Sequence, residues 1–183
     1  MPRPRRQSGF SLIELMVTIA VLSILLSIAI PSFADIMRNN QVAGETNKLI
    51  TALNLARSEA SKRGIPVTVC ASDVGATTCS GNPNWTNGWL VFSDSTGPGV
   101  INPGVGGDEL LQVEGQSPQQ LQLNTDERFV RFGPSGERMN APAGGAAAEM
   151  LFAVRHTTCT GKNLRQVLIN RTGRVSMSKV DCP

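Results

Sequence analysis

The first third of the chain carries two hydrophobic patterns that meet near Pro31. From Phe10 to Ile30 the residues are predominantly apolar and include one charged side chain, Glu14. A helix of this length, at about 1.5 Å per residue, reaches about 30 Å, which matches the hydrocarbon core of a bilayer. The pattern therefore predicts a membrane-spanning helix over residues 10–30.

Residues 31–63 are predicted to continue this helix with an amphipathic pattern. Apolar residues recur at roughly helical spacing, while polar residues such as Glu45 and Lys48 fill the other faces. Because Pro31 lacks a backbone N–H, we expect it to kink or loosen the helix. Gly64, followed by Pro66, marks the end. The apolar face expected to be buried comprises Phe33, Ile36, Met37, Ala43, Ile50, Leu53, Ala56 and Ala60.

Beyond residue 63 the pattern changes to short strand-like runs separated by Gly, Pro and Asn. No second long amphipathic helix lies between them, so an antiparallel sheet and an α+β fold are expected. Residues 64–183 form one domain by size, with a turn at 170–173 and a mobile loop at 133–148. The seven predicted strands are 67–70, 89–92, 109–113, 128–132, 150–154, 165–169 and 174–179.

A short basic segment, residues 1–9, precedes the apolar run. Its arginines, Arg3, Arg5 and Arg6, have no acidic neighbour, so the positive-inside rule predicts a cytoplasmic leader with the rest of the chain across the membrane. A secretory signal would be followed by a small-residue cleavage site, which the sequence lacks here. The junction of Gly9 and Phe10 precedes the run instead, and a cut there would leave the membrane segment on the mature protein.

Glu14 distinguishes this segment from a plain single-span anchor. A carboxylate in a hydrocarbon core costs roughly 2.5 to 3.5 kcal/mol on insertion scales and usually has a partner. Cleavage after Gly9 would create such a partner, a positive α-amine on Phe10, in the same chain or in a neighbouring helix. We therefore expect Glu14 to act in assembly as well as in anchoring.

The run Gly9-Phe-Ser-Leu-Ile-Glu-Leu15 resembles the class III signal of type IV pilins and secretion pseudopilins. The resemblance implies a peptidase that cleaves after Gly9 and N-methylates Phe10, and it implies a use of Glu14, and of Pro31, in assembly. Residues 55–63, 67–70 and 88–94, with Trp85, are similar to the GspH/FimT family of minor pilins and pseudopilins. That family has an N-terminal helix packed on an antiparallel β-sheet. The two tryptophans, Trp85 and Trp89, are interpreted as core anchors.

Four cysteines in a periplasmic head favour disulfides, because that compartment is oxidising. Three pairings are allowed. We favour the local bridges Cys70–Cys79 and Cys159–Cys182, the second of which would hold the C-terminus. The alternative is a zinc site in which His156 joins the cysteines, but its spacing follows no familiar zinc pattern. No metal and no cofactor are therefore expected.

The basic residues are concentrated near the C-terminus. Without the three leader arginines, the chain balances at 14 basic and 14 acidic residues, yet residues 150–183 carry six basic residues and one acid. Some members of the family bind DNA through Gly-Arg-x-Arg, and Gly173-Arg-Val-Ser176 matches half of that motif. The candidate DNA-binding residues are Arg165, Arg171, Arg174 and Lys179, and the plainer alternative is a solvated face or a contact with an acidic subunit.

Catalysis is poorly supported by the residues present. The chain has one histidine and no tyrosine, and neither a nucleophile elbow nor a phosphate loop is recognisable. His156 is expected to be an exposed residue at a strand end. The chain is therefore not expected to be an enzyme.

These features predict a low-abundance type IV pilus subunit that helps to start or cap a pilus. Its expected partners are other pilins, the prepilin peptidase, the inner-membrane assembly platform and the membrane itself. Its expected location is the bacterial inner membrane, with the head in the periplasm, and then the fibre. The alternatives are a DNA-binding minor pilin for DNA uptake and an H-type minor pseudopilin of type II secretion.

Overall fold

The computed structural model describes residues 9–97, 99–102, 107–140 and 149–183. The predicted leader therefore lies outside the described residues except for Gly9, and the loop predicted at 133–148 is described only as far as residue 140. The described chain forms two compact units, one ending at Arg38 and the other spanning Asn39–Pro183.

The N-terminal helix, α1, is Leu12–Arg63, and helical structure continues through position 31. It ends where the sequence predicts, because Gly64 adopts a φ of 68° and its N–H bonds to the Ala60 carbonyl oxygen at 3.0 Å. Glycine adopts this left-handed conformation without steric cost, which suits the residue after a helix.

Within the described residues, eight strands follow and form two antiparallel four-stranded sheets, which confirms the predicted fold class. The first sheet has the order β3-β2-β1-β5 and the second has the order β4-β6-β7-β8. A 3₁₀ turn, Trp85–Asn87, precedes β2. The strands are β1 (Val67–Ala71), β2 (Trp89–Ser93), β3 (Leu110–Glu114), β4 (Leu121–Asn124), β5 (Phe129–Phe132), β6 (Met150–His156), β7 (Leu164–Ile169) and β8 (Val175–Val180).

All seven predicted strands are present, but the prediction missed β4. In β4 the side chains of Leu121 and Leu123 enter the core, and the strand pairs with β6 from Leu121 opposite His156 to Asn124 opposite Ala153. Two alternating leucines in a four-residue strand give a weak periodic signal. The strand is stabilised by its partner rather than by its own pattern.

The core of the second unit forms between one face of α1 and both sheets. Leu49, Leu53 and Ala56 on the helix are fully buried with Trp85 and Phe132 from the sheet region. The indole of Trp85 packs edge-on against Phe152, with ring centroids 4.9 Å apart, and its Nε1 donates to the Glu127 carbonyl oxygen at 2.6 Å. Trp89 is also fully buried. The prediction that both tryptophans anchor the core is therefore confirmed.

The predicted register of the buried helix face was partly wrong. Phe33, Ile36 and Met37 are exposed, whereas Val42 and Glu45 are buried. The residues of α1 that belong to the core begin at Val42. Helical periodicity alone does not reveal how far along a helix its partner extends.

Both favoured disulfides are present in the structure. Cys70 is bonded to Cys79 and Cys159 to Cys182, each pair with a Cα–Cα distance of 5.7 Å. That separation lies within the normal range for disulfides. The first bridge closes the loop after β1, and the second holds the C-terminal residues to the loop between β6 and β7.

We expect the two bridges to stabilise the fold by about 3 kcal/mol each, because they close loops of roughly 10 and 24 residues in the unfolded chain. Intact-mass measurement after alkylation should show no modified cysteine in the native protein and four after reduction. The paired variant Cys159→Ser with Cys182→Ser should unfold at lower denaturant concentration than wild type. Alkylation of any cysteine before reduction would contradict the pairing.

Candidate functional site

The N-terminal part of α1 presents an apolar surface that the described chain does not cover. Every described side chain from Leu12 to Ile30 is exposed. Among the described residues, α1 is the one helix long and apolar enough to cross a membrane, with a mean hydropathy of 2.5 over an 18-residue window. Such a surface is stable only against lipid or against other apolar helices.

The polar side chains of this segment differ in whether they form a hydrogen bond within the helix itself. The hydroxyls of Thr18, Ser23 and Ser27 each donate to the carbonyl oxygen three residues earlier, at 2.7–2.8 Å. No hydrogen bond or ion pair joins Glu14 to another described residue. Phe10 is 85% exposed and lies four positions before Glu14. Glu14 is therefore the group in this segment that most needs a partner.

Further along α1, a buried carboxylate connects the helix to the chain after β3. Glu45 is only 3% exposed, and its Oε1 accepts a hydrogen bond from the Ser117 hydroxyl at 2.5 Å. Lys48 lies 3.5 Å from Glu45 and 3.0 Å from Glu114. The hydrogen bond to Glu114 raises the pKa of Lys48 despite the opposing effect of burial. Sequence reasoning placed Glu45 outside the apolar face of the helix, since nothing local reveals a partner as distant as Ser117.

A second polar connection joins α1 to the hairpin between β7 and β8. The Nε atom of Arg57 donates to the Gly136 carbonyl oxygen at 3.0 Å, and its Nη2 donates to the Thr172 carbonyl oxygen at 3.2 Å. The hairpin turn has a Gly173 N–H bonded to the Asn170 carbonyl oxygen at 3.0 Å, which confirms the predicted turn. One arginine thus bonds two loop carbonyls that are far apart in sequence.

Gly173 is required at this turn for two physical reasons. Its φ of 75° is unfavourable for a residue with a side chain, and an added Cβ would overlap the Gly136 carbonyl oxygen. The glycine of the half-matched DNA motif therefore has a structural explanation that involves no ligand.

The four candidate DNA-binding residues do not share one environment. Arg171, Arg174 and Lys179 are exposed, and none of them forms an ion pair with another described residue. Arg165 is only 8% exposed, and its Nη2 donates to the Asn39 side-chain oxygen at 3.2 Å. Arg165 is therefore removed from the candidate patch, because its side chain faces the core side of the sheet rather than solvent.

His156 is also buried, contrary to the expectation that it is exposed. It is the last residue of β6 and is 8% exposed, and its Nδ1 accepts the Thr158 N–H at 3.1 Å. The cysteines of the zinc alternative are joined in disulfides and cannot act as thiolate ligands. Within the described residues, no three His, Cys, Asp or Glu side chains are grouped to hold a metal.

Two buried aspartates that sequence reasoning missed organise the loop between β2 and β3. Asp94 accepts the Thr68 hydroxyl at 2.6 Å and pairs with Arg131 at 3.1 Å. Asp108 accepts the backbone N–H groups of Ser95 and Asn102. Burial alone would raise the pKa of Asp108, but these N–H groups and nearby hydroxyls outweigh it and lower that pKa. The donors surround the carboxylates, so their role is structural.

An open groove of about 470 Å³ lies beside β4 and β6. The side chains that line it are mostly small, amide or apolar. Asp126 is the titratable residue among the described lining residues. One carboxylate without a base, a nucleophile or a metal does not constitute a catalytic set. The residues that line the groove are Pro83, Asn84, Thr86, Leu123, Asn124, Thr125, Asp126, Leu151 and Ala153.

Residues 45–173 match the family model described as type II transport protein GspH. The chain belongs to this family. Residues 4–30 match the prokaryotic N-terminal methylation motif. The family comprises minor type IV pilins and pseudopilins, which are structural subunits and not enzymes. The predicted family and the expectation that the chain is not an enzyme are therefore confirmed, and the motif makes the N-terminal segment a membrane-anchoring prepilin segment.

Two individual proteins extend the comparison. Fimbrial protein Q of Moraxella bovis is 35% identical over 105 residues, which are 55% of this chain and 65% of that protein. The crystal structure of the type IV minor pilin FimU of Pseudomonas aeruginosa superposes with a TM-score of 0.55 at 17% identity, covering 76% of this chain and 89% of FimU. The second likeness concerns the fold alone.

The requirement for glycine at position 173 can be tested by comparing its alanine variant with that of a second glycine in the left-handed conformation. We expect Gly173→Ala to destabilise the fold by about 3 kcal/mol or more, because strained backbone and steric overlap add. Gly161 also has a positive φ, 60°, but a Cβ there would meet nothing within 4 Å. Gly161→Ala should therefore cost only about 1 kcal/mol. Equal losses of stability in denaturant titrations would refute the close-approach argument.

Proposed function

We propose that this chain is a minor type IV pilus subunit that helps to start or cap a pilus through its N-terminal helix. The observation that carries the proposal is the exposed apolar surface of α1 from Leu12 to Ile30, which contains Glu14 and follows the methylation motif. The membrane would hold the subunit until packing against neighbouring helices replaces the contacts with lipid.

The proposed processing creates the partner that Glu14 needs. Cleavage after Gly9 frees the amine of Phe10, which is then N-methylated and remains positively charged. In a packed helical array, the amine of one subunit neutralises the Glu14 carboxylate of another, which removes the cost of a charge in an apolar environment. This pairing would also fix the axial position of one helix relative to its neighbour.

Pro31 has a proposed role in the same step. A proline at this position removes the N–H that would otherwise bond to the Ser27 carbonyl, so the helix is weaker here than on either side. We infer that this weaker turn lets the exposed segment adjust its direction when it enters the fibre.

The subunit would be inserted in the inner membrane with its head in the periplasm, and it would contact the prepilin peptidase, the assembly platform and other pilins.

A role in a pilus is preferred to a role in type II secretion because of the curated relative. Fimbrial protein Q is named for a fimbria, and its match covers 55% of this chain. The family model is named for type II transport, so the H-type pseudopilin remains the alternative. Identification of the subunits cross-linked to this chain in purified fibres distinguishes the two.

Glu14→Ala should leave membrane insertion intact, since it makes the segment more apolar. Incorporation into fibres should fall by about tenfold or more, because losing a charge pair worth a few kcal/mol changes an equilibrium by at least that factor. Immunoblots of membranes and of sheared fibres measure both quantities. The control is Ser23→Ala, whose hydroxyl is satisfied by the Ala20 carbonyl oxygen of its own helix. Wild-type incorporation of Glu14→Ala would refute the mechanism.

DNA binding is a second candidate function, supported by the exposed cations Arg171, Arg174 and Lys179, which form no ion pair with another described residue. These residues lie in and beyond the β7–β8 turn and could contact phosphates as a group. Ser176 stands where the second arginine of the motif would be, so the match remains incomplete.

Gel shifts of the full-length protein in detergent test this second function. Arg174→Ala should reduce affinity and lower the slope of log K against log salt by about 0.9, the value of one phosphate contact. Lys62→Ala removes an exposed cation that already pairs with Glu59, and it should have little effect. Binding that is absent at low salt, or equal in the two variants, would exclude a role for Arg174.

A further inference from the structure

Strand β8 has a free edge. It is the last strand of the order β4-β6-β7-β8, and no other described strand pairs with it. All six of its residues pair with β7, from Val175 opposite Ile169 to Val180 opposite Leu164, without a shift of register. The edge therefore runs regularly along the whole strand.

The direction of the backbone groups on this edge follows from the hairpin. The Asn170 N–H bonds to the Arg174 carbonyl oxygen at 3.2 Å, which makes these two residues a hydrogen-bonded pair. Hydrogen-bonded and non-hydrogen-bonded pairs alternate along an antiparallel ladder. The N–H and C=O groups of Val175, Met177 and Lys179 therefore point away from β7 and are free to pair with another strand.

Within the described part of the chain, β8 lacks the usual structural covers of an edge strand. It contains no proline and no bulge, and six residues is an ordinary strand length. The C-terminal residues do not cover it either, since Cys182 is bonded to Cys159 and its N–H bonds to the Gly161 carbonyl oxygen. Among the described residues, the protection that remains is the set of cations on and beside the strand.

The face of β8 that carries the core contacts also carries an exposed apolar side chain. Val175 and Met177 lie on the same face as the core residues Ile169 and Val167 of β7. Val175 packs against the core, whereas Met177 is 41% exposed. An apolar side chain that the described chain leaves open therefore lies beside the free edge.

The charges distinguish this edge from the edge of the first sheet at β3. On β3, Glu114 pairs with Lys48, and Glu109, which immediately precedes the strand, pairs with Arg63. On the β8 side, the exposed cations have no ion pair within the described chain. A segment that docks on the β8 edge and carries acidic side chains would supply the missing partners.

We propose that an extended, acidic and apolar segment from the head of a neighbouring, different pilus subunit adds to β8 as a fifth strand of the second sheet. Its backbone pairs with Val175, Met177 and Lys179, its apolar side chains pack against Met177, and its carboxylates meet Lys179 and Arg174. This mode of docking combines backbone hydrogen bonds for affinity with side-chain pockets for specificity. The inference rests on the proposed function as a pilus subunit.

Site-specific photo-cross-linking in assembled fibres tests the proposal. A benzophenone amino acid replaces Met177 in one variant of the full-length chain and Val113, which is 50% exposed on the β3 edge, in another. We expect the Met177 variant to cross-link to a different pilus subunit, within a strand-length segment containing Asp or Glu. The Val113 variant should give at least fivefold less of that product.

Charge reversal on β8 provides the second measurement. Lys179→Glu should reduce the cross-link from position 177 at least fivefold, whereas Lys62→Glu, an equal change of charge on an exposed part of α1, should not. Met177→Pro removes an outward N–H but leaves the ladder with β7 intact, and it should reduce incorporation into fibres without reducing the amount in membranes.

The outcomes separate this inference from the function on which it rests. If the chain is absent from fibres altogether, the proposed function fails and the inference fails with it. If the chain is in fibres but position 177 cross-links to nothing, to a second copy of this chain or to DNA, the docking inference fails alone. Insensitivity of the product to Lys179→Glu would exclude the acidic partner.

Discussion

The structure of the head depends on the close packing of one face of α1 against two sheets. Ala52, Ala56 and Ala60 are all fully buried on that face. Their small side chains let the helix approach the sheets closely, while larger residues such as Leu49 and Leu53 fill the space on either side. A larger residue at one of the alanines would have to move the helix, because such a core has few voids to absorb extra volume.

Polar contacts at both flanks then determine how the helix lies in the core. Glu45 and Lys48 connect it to the first sheet, and Arg57 connects it to the hairpin of the second. Hydrophobic packing is tolerant of small rotations, whereas hydrogen bonds to defined atoms are not. These contacts therefore give the helix a unique rotation about its axis.

The sequence predicted features that are local and missed those that depend on distant partners. The membrane segment, the helix end at Gly64 and the β7–β8 turn follow from neighbouring residues. The burial of Glu45 requires Ser117, and the burial of Arg165 requires Asn39, so a sequence pattern cannot reveal either. Strand β4 was missed for the same reason, because its leucines become informative only beside β6. The half-matched DNA motif shows that a local match can mislead, since Gly173 is explained by its positive φ and by the nearby Gly136 carbonyl oxygen without a ligand.

The disulfide Cys159–Cys182 has a mechanical consequence if the proposed fibre is pulled. The two cysteines are separated by 23 positions, a stretch that could extend to about 80 Å if it were pulled out as free chain. The bridge limits that extension to the 5.7 Å between the two Cα atoms. Strand β8 lies within this closed loop, so the last hairpin cannot be drawn out into an extended chain. A pulling force on the head would therefore be transmitted without lengthening this part of the chain.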